Sequence, residues 1–268
     1  MSAAISAEWR KILSTRLWWA LLAMMAAAVA FFAAVFAFAM TQGDAGTGLD
    51  GQPLAIEGTQ LALTVYTAGV SLAYVFPLAF GAIIVTSEFR HRTIATTLLA
   101  EPRRSRVIAA KLVAAVPFAL LYGLVAAAVA VGVGAPALAI AGGETMLGDP
   151  EVWRTLGLTV AAMAAWMLVG VGFGTAVTNQ VAVVVGLLVW TQLVEPLLRV
   201  AAGFWSAAEP VARFLPGAAG EAVVGTSFYS ASGLATLLPE WAGLAVLLGY
   251  GLVAALIGWR TTFSHDIS

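Results

Sequence analysis

Apolar residues run along this chain in six long blocks and do not alternate with polar ones. The blocks are Leu17–Met40, Leu61–Thr86, Val107–Ala135, Leu156–Thr178, Val181–Val200 and Trp241–Trp259. About 20 apolar residues at about 1.5 Å rise per residue cross the ~30 Å hydrocarbon core of a bilayer. Each block therefore predicts a transmembrane helix, and residues 1–268 read as one all-α integral membrane domain with six spans. Residues 2–16 carry a different pattern. Ile5, Trp9, Ile12 and Leu13 share one helical face, and Glu8, Lys11 and Thr15 share the other. This predicts an amphipathic helix in the membrane interface, basic side toward the headgroups; a frayed tail is the alternative. Arg10, Lys11 and Arg16 precede the first block and Ala37-Phe38-Ala39 closes it, as in a signal peptide. However, a signal h-region is only ~7–15 residues, so the block reads as a retained first span.

The intervening segments are short and polar, with two exceptions. Ser87–Lys111 is strongly basic, holding Arg90, Arg92, Arg103, Arg104, Arg106 and Lys111. Residues 201–240 are rich in Gly, Pro and Ser, yet contain Phe204, Trp205, Phe214, Leu215, Phe228 and Tyr229. Two readings stand for the second segment. It is an ordinary extracellular loop, or a re-entrant one with short helices near 207–214 and 217–224, shielded because backbone at membrane depth needs protein or water around it.

Composition sharpens the class. The chain is 61% hydrophobic and 10% charged, with a mean hydropathy of +0.95. A soluble domain carries about 25% charge, and a water-soluble fold could not hide this much apolar surface. The 13 Lys and Arg residues are unevenly placed. Only Arg154, Arg199 and Arg213 fall on the side opposite the termini and the basic loop. Cytoplasmic segments are enriched in Lys and Arg, so both termini and residues 87–106 are expected inside a bacterial plasma membrane.

Several chemistries lose support. Without cysteine there is no disulfide or thiolate site. The only lysines, Lys11 and Lys111, lack the Gly-x-x-x-x-Gly-Lys-Ser/Thr context that cradles phosphate. Gly170-Val-Gly172-Phe-Gly174 lies inside a span, where small residues let helices approach, so it reads as packing. The histidines, His91 and His265, are far apart and form no metal-ligand pattern. The single basic loop is explained by topology, so nucleic-acid binding gains nothing.

Polar residues inside the spans are the candidates for function. Glu195 has Gln192 at i−3 and Arg199 at i+4 on the same face. It either pairs with Arg199 at the helix end or lines a path, since an ionised acid in hydrocarbon must pair or face water. Thr64, Thr67, Ser71 and Tyr74 form one stripe of the second span, serving interhelical hydrogen bonds or a cavity. In the basic loop, Phe89, Ile94 and Leu98 share a helical face with Thr93, Thr96 and Thr97 interleaved, predicting a short surface helix that ends at Glu101-Pro102. A lipid anchor would need no acid at Glu88.

The stretch SEFRHRTIATTLLAEPRRSRVIAAKL resembles the loop after the second helix in membrane subunits of export-type ATP-binding cassette transporters, the ABC type 2 permease family. Asn179-Gln180, WTQLVEPLL (Trp190–Leu198) and Leu215-Pro216-Gly217 resemble stretches of actinobacterial members. Arg92 stands where those subunits commonly carry a small residue, often Gly. The resemblance implies a non-catalytic permease subunit that pairs as a homodimer or heterodimer and docks on a separate ABC ATPase subunit, which binds the ATP and Mg. It implies docking through the coupling loop, here Glu88, Phe89, Arg90, Arg92, Thr93, Ile94, Leu98, Arg103, Arg104 and Arg106. The face of Glu88, Phe89, Ile94 and Leu98 is the expected partner contact, with Arg103, Arg104 and Arg106 at membrane lipids. It also implies a path along the second and fifth helices, where Thr64, Thr67, Ser71, Tyr74, Gln192 and Glu195 fall, for a lipophilic or amphiphilic substrate. An ATPase-independent transporter or scramblase, or a membrane anchor recruiting a cytoplasmic partner, are the competing expectations.

Overall fold

The computed structural model describes residues 2–42, 58–205, 208–226 and 236–263. Asp44, Asp50, Glu57, Phe228, Tyr229 and His265 lie outside the described residues. The described residues are 84% helical, with no strand among them. Six helices are long and apolar enough to cross a membrane: Leu17–Thr41, Gly58–Arg90, Arg104–Ala141, Pro150–Ala176, Gln180–Gly203 and Glu240–Arg260.

The order is simple. Helix α1 (Ser2–Leu13) precedes α2 (Leu17–Gln42), the first span. The second span is broken into α3 (Gly58–Ala68), α4 (Val70–Ala73) and α5 (Val75–Arg90). Pro77 has no N–H to give the carbonyl four residues back, which favours a break at Tyr74. Helix α6 (Ile94–Ala100) follows, then α7 (Arg104–Ala141). The α7 helix starts three residues earlier than its apolar block predicts, so Arg104, Ser105 and Arg106 are helical. It ends where Gly142 adopts φ 88°, a left-handed conformation that glycine takes without a Cβ clash. Helix α8 (Pro150–Ala176) is capped by Asp149, which accepts from the Glu151 amide at 2.9 Å. A three-residue reversal leads to α9 (Gln180–Val189), capped by the Asn179 side chain. The fifth span continues through a π-helical turn, Trp190–Val194, into α10 (Glu195–Gly203). Two short helices, α11 (Glu209–Ala212) and α12 (Pro216–Val224), precede α13 (Glu240–Arg260).

Helix α8 is the centre of the bundle. Its most apolar stretch is 61% buried, against 17% for the fifth span. The reason lies in its glycines. A Cβ at Gly170 would overlap the Leu78 carbonyl oxygen of α5, and one at Gly172 would overlap that of Gly251 in α13. Two helices thus touch α8 backbone to backbone from opposite sides, the close approach that small residues permit. Around them, Phe80 stacks on Tyr122 with ring centroids 5.5 Å apart, and the Tyr122 hydroxyl donates to the Trp18 carbonyl at 2.7 Å. Those contacts tie α5, α7 and α2 into one core.

Candidate functional site

Two polar clusters lie within the bundle, one at an end and one about midway along the spans. The first is at the end that carries α6. Lys111, on the first turns of α7, is fully buried. Its ammonium donates to Glu8 Oε2 and to Glu88 Oε1, both at 2.8 Å. Lys11 donates to Glu8 Oε1 at 2.7 Å, to Glu88 Oε1 at 2.5 Å and to Thr97 Oγ1 at 3.1 Å. The chain's only two lysines therefore converge on two buried acids, and the charges balance. Burying ions is expensive unless each is paired with good geometry. Balance makes this cluster tolerable and makes its parts interdependent. Burial lowers the proton affinity of the Lys11 ammonium, but hydrogen bonds and charge from Glu8 and Glu88 outweigh it, so its pKa stands above the ordinary value. The cluster joins α1, α5, α6 and α7 at one point. The Trp9 indole adds a second tie, donating to the Ala114 carbonyl at 3.2 Å.

Helix α6 is pinned from its other side too. Ile94 packs with Ile108, Ala255 and Phe263, with Phe89 and Leu98 against them. The Arg104 guanidinium donates to the Phe263 carbonyl. What faces outward is Arg90, His91, Arg92, Thr93, Ala95, Thr96, Leu99, Arg103 and Arg106. An open cleft of about 780 Å³ runs beside α6, lined by Phe89, Arg90, Arg92, Ile94, Ala95 and the reversal 178–181. Arg92 has φ 57°, a left-handed conformation strained for a residue with a Cβ.

This placement corrects three expectations. Glu88 and Ile94 are turned inward and are each 4% exposed, and Phe89 and Leu98 flank them half-buried. Their face closes onto the bundle and does not stand out toward a partner, because Lys11, Lys111 and the Ile108–Phe263 cluster lie behind it. Glu8 is likewise buried, so the polar face of α1 turns to the bundle and not wholly to headgroups. Arg104 is held by the chain and is not free at the lipid surface.

The second cluster lies about midway along the spans, around the junction of α4 and α5. Tyr74 is stacked on Trp166, centroids 4.3 Å apart. Its hydroxyl donates to the Thr191 carbonyl at 3.3 Å and accepts from Gln192 Nε2 at 3.1 Å. Glu195 is 1% exposed. Its two oxygens accept from the amides of Gly217 and Ala218, each at 2.8 Å, the first amides of α12. A helix N-terminus offers unpaired amides and a positive dipole end, so it can hold a buried carboxylate. Arg199 reaches Glu221 through both terminal nitrogens, at 2.9 and 2.6 Å. Glu195 and Arg199 thus each hydrogen-bond to α12, making two links from α10 to α12.

Of the expected path residues, Tyr74, Gln192 and Glu195 come together here. Ser71 joins Tyr74 in lining a cavity of about 20 Å³, room for about one water. Thr64 and Thr67 do not join them; their hydroxyls donate to the carbonyls of Gln60 and Leu63 in their own helix. Sequence reasoning missed Lys11, Lys111 and Glu8 as one site, and Glu221 and Trp166 as partners of Arg199 and Tyr74. The scarcity of lysine was the one available signal for the first group. No group of three or more His, Asp or Glu able to hold a metal occurs among the described residues. No protein-family model matches the chain, and no curated protein matches it.

Proposed function

We propose that the chain is the permease subunit of an ABC exporter in a bacterial plasma membrane, with both termini cytoplasmic. It moves a lipophilic or amphiphilic substrate outward and catalyses nothing itself; ATP and Mg belong to a separate ATPase subunit. The observation that carries this reading is the mounting of α6. A seven-residue helix at one end of the bundle is tied through Thr97 to Lys11 of the ion cluster that joins α1, α5 and α7, and through Ile94 to Ile108 of α7 and to Phe263 beyond α13. Fastened so, a push on its outer face moves four helices together and cannot simply fold the loop aside. That outer face is basic, with Leu99 standing out 82% exposed, and it borders the open cleft. In this reading Arg90, Arg92, Thr93, Leu99, Arg103 and Arg106 meet the ATPase, while Glu88, Ile94, Leu98 and Arg104 hold α6 in place.

The interior of the single chain supports pairing. The cavity at Tyr74 has room for about one water, far too little for a substrate. A path would then form between two permease subunits, along faces that include Ser71 and Gln192, both exposed in the single chain. The test is capture from native membranes with a tagged chain. Co-purification of a Walker A-containing ATPase, lost on combining Arg92→Glu with Leu99→Asp, is the expected result. A cleanly solubilised wild-type chain that brings down no ATPase sinks the proposal.

A further inference from the structure

Helix α12 is an unusual piece of the bundle. It has nine residues, PGAAGEAVV, and every one except Glu221 is buried. It lies against α8, α10 and α13, with Gly220 against the Trp166 indole. Its small side chains bury little apolar area each, and its closest packing is backbone against Gly243 of α13. Its polar fastenings described above come from α10: Glu195 to its first amides and Arg199 to Glu221. There is no spare room at the first fastening. A Cβ on Gly217 would sit 2.6 Å from Glu195 Oε1.

What precedes α10 matters as much. The Glu195 amide bonds to the Trp190 carbonyl, five residues back, which closes the π turn. The next bond of that ladder would run from residue 196 to the Thr191 carbonyl, but Pro196 has no N–H. The Tyr74 hydroxyl takes that carbonyl instead, at a long 3.3 Å. A π turn holds one residue more than an α-helical path needs. Its conversion to α would turn everything after it by about 100° and shift it by about 1.5 Å. Either displacement breaks hydrogen bonds of 2.8 Å.

We propose that α12 is a releasable plug, latched by the Glu195 carboxylate, and that the π turn is the element whose relaxation undoes the latch. Beneath the plug lies the 20 Å³ cavity, walled on the bundle side by Val70, Tyr74, Ala162, Met163 and Trp166, and roofed by Gly217, Gly220, Glu221 and Val224 of α12. Release of α12 removes that roof and opens the Tyr74–Trp166 face to the medium at the end opposite α6. The proposal stands without an ATPase, and its test needs none.

The chain has no cysteine, so a single one is a clean reporter. Ala162, 2% exposed, lies on the wall of the cavity, so Ala162→Cys places the thiol there. The full chain in liposomes is treated with a charged, membrane-impermeant maleimide. Labelling of Ala162→Cys alone should be slow. Adding Glu195→Gln, or separately Gly217→Ala, which crowds the carboxylate without changing charge, should raise the rate at least 10-fold. Helical content and unfolding temperature measured on the same samples separate release from unfolding. Faster labelling in both variants with the fold intact supports the plug. Unchanged labelling in both overturns it, and so does faster labelling seen only with loss of helical content, since α12 is then a fixed part of the fold.

Discussion

Lys111 is fully buried, and each of its two acceptors is shared with Lys11 or lies beside an oxygen that Lys11 holds. Removing its charge leaves Glu8 and Glu88 buried with one half-exposed ammonium between them. Breaking a buried ionic group by deleting one member typically costs about 3–5 kcal/mol. Lys111→Met should therefore lower the unfolding temperature sharply in detergent. Glu88→Gln with Lys111→Met should recover most of the loss, because Glu8 and Lys11 remain as a neutral pair. A double variant as unstable as the single one would refute the balance argument. The raised pKa of Lys11 sets the pH window. Its contribution is complete below the ordinary lysine value and is lost only as pH rises through the raised one, so Lys11 keeps its charge at physiological pH. Arg92 makes the opposite case. Its left-handed backbone costs about 1 kcal/mol with a Cβ present, so Arg92→Gly should stabilise the α5–α6 turn by up to that amount. Equilibrium unfolding reads the sign, and a destabilised Arg92→Gly would mean that the guanidinium contributes more than the strain costs.

At the scale of elements, α8 depends on how its start is tied. Asp149 accepts from the Glu151 amide and, at 2.6 Å, from the Thr59 hydroxyl, linking α8 to α3. The Thr59 hydroxyl and the Glu151 amide favour the carboxylate, so its pKa lies below the ordinary value. A depressed acid contributes stability above its unfolded pKa and loses it as pH falls through the folded one. Wild type should therefore lose stability relative to Asp149→Asn as the pH drops below about 4, since Asn caps equally well without titrating. Parallel pH profiles for the two chains would show that the charge is idle. Part of this scale was legible: Glu101-Pro102 marks the end of α6. The start of α8 at Pro150, six residues before its apolar block, was not read from the block, because the cap at Asp149 and not hydropathy sets it. The direction of α6 was not legible. Phe89, Ile94 and Leu98 announce an apolar face, but periodicity does not say whether that face meets its own bundle or a partner. Phe263, 169 residues after Ile94, decides it.

For the whole molecule, the uneven placement of Lys and Arg makes a sidedness prediction. In intact cells, Arg92→Cys should react with an impermeant maleimide only after permeabilisation, and Gly148→Cys should react without it. Both positions are exposed and lie at opposite ends of the bundle. The reverse result would invert the topology and with it the proposed function. The low burial of the fifth span, 17%, and of the first, 22%, leaves broad apolar faces for lipid or a second subunit, whereas α8 has almost none.

The chain's sequence alone determined the six spans, their order and the uneven distribution of charge. Transfer of apolar side chains out of water is local and roughly additive, so a run of residues carries the signal by itself. Only the tertiary structure decided which buried ions pair. Lys111 meets Glu8 across 103 positions and Glu88 across 23, and Glu195 meets Gly217 across 22. Electrostatic pairing depends on distance in space, and that distance is set by how glycine-faced helices cross. No local pattern around Lys111 or Glu195 encodes those crossings.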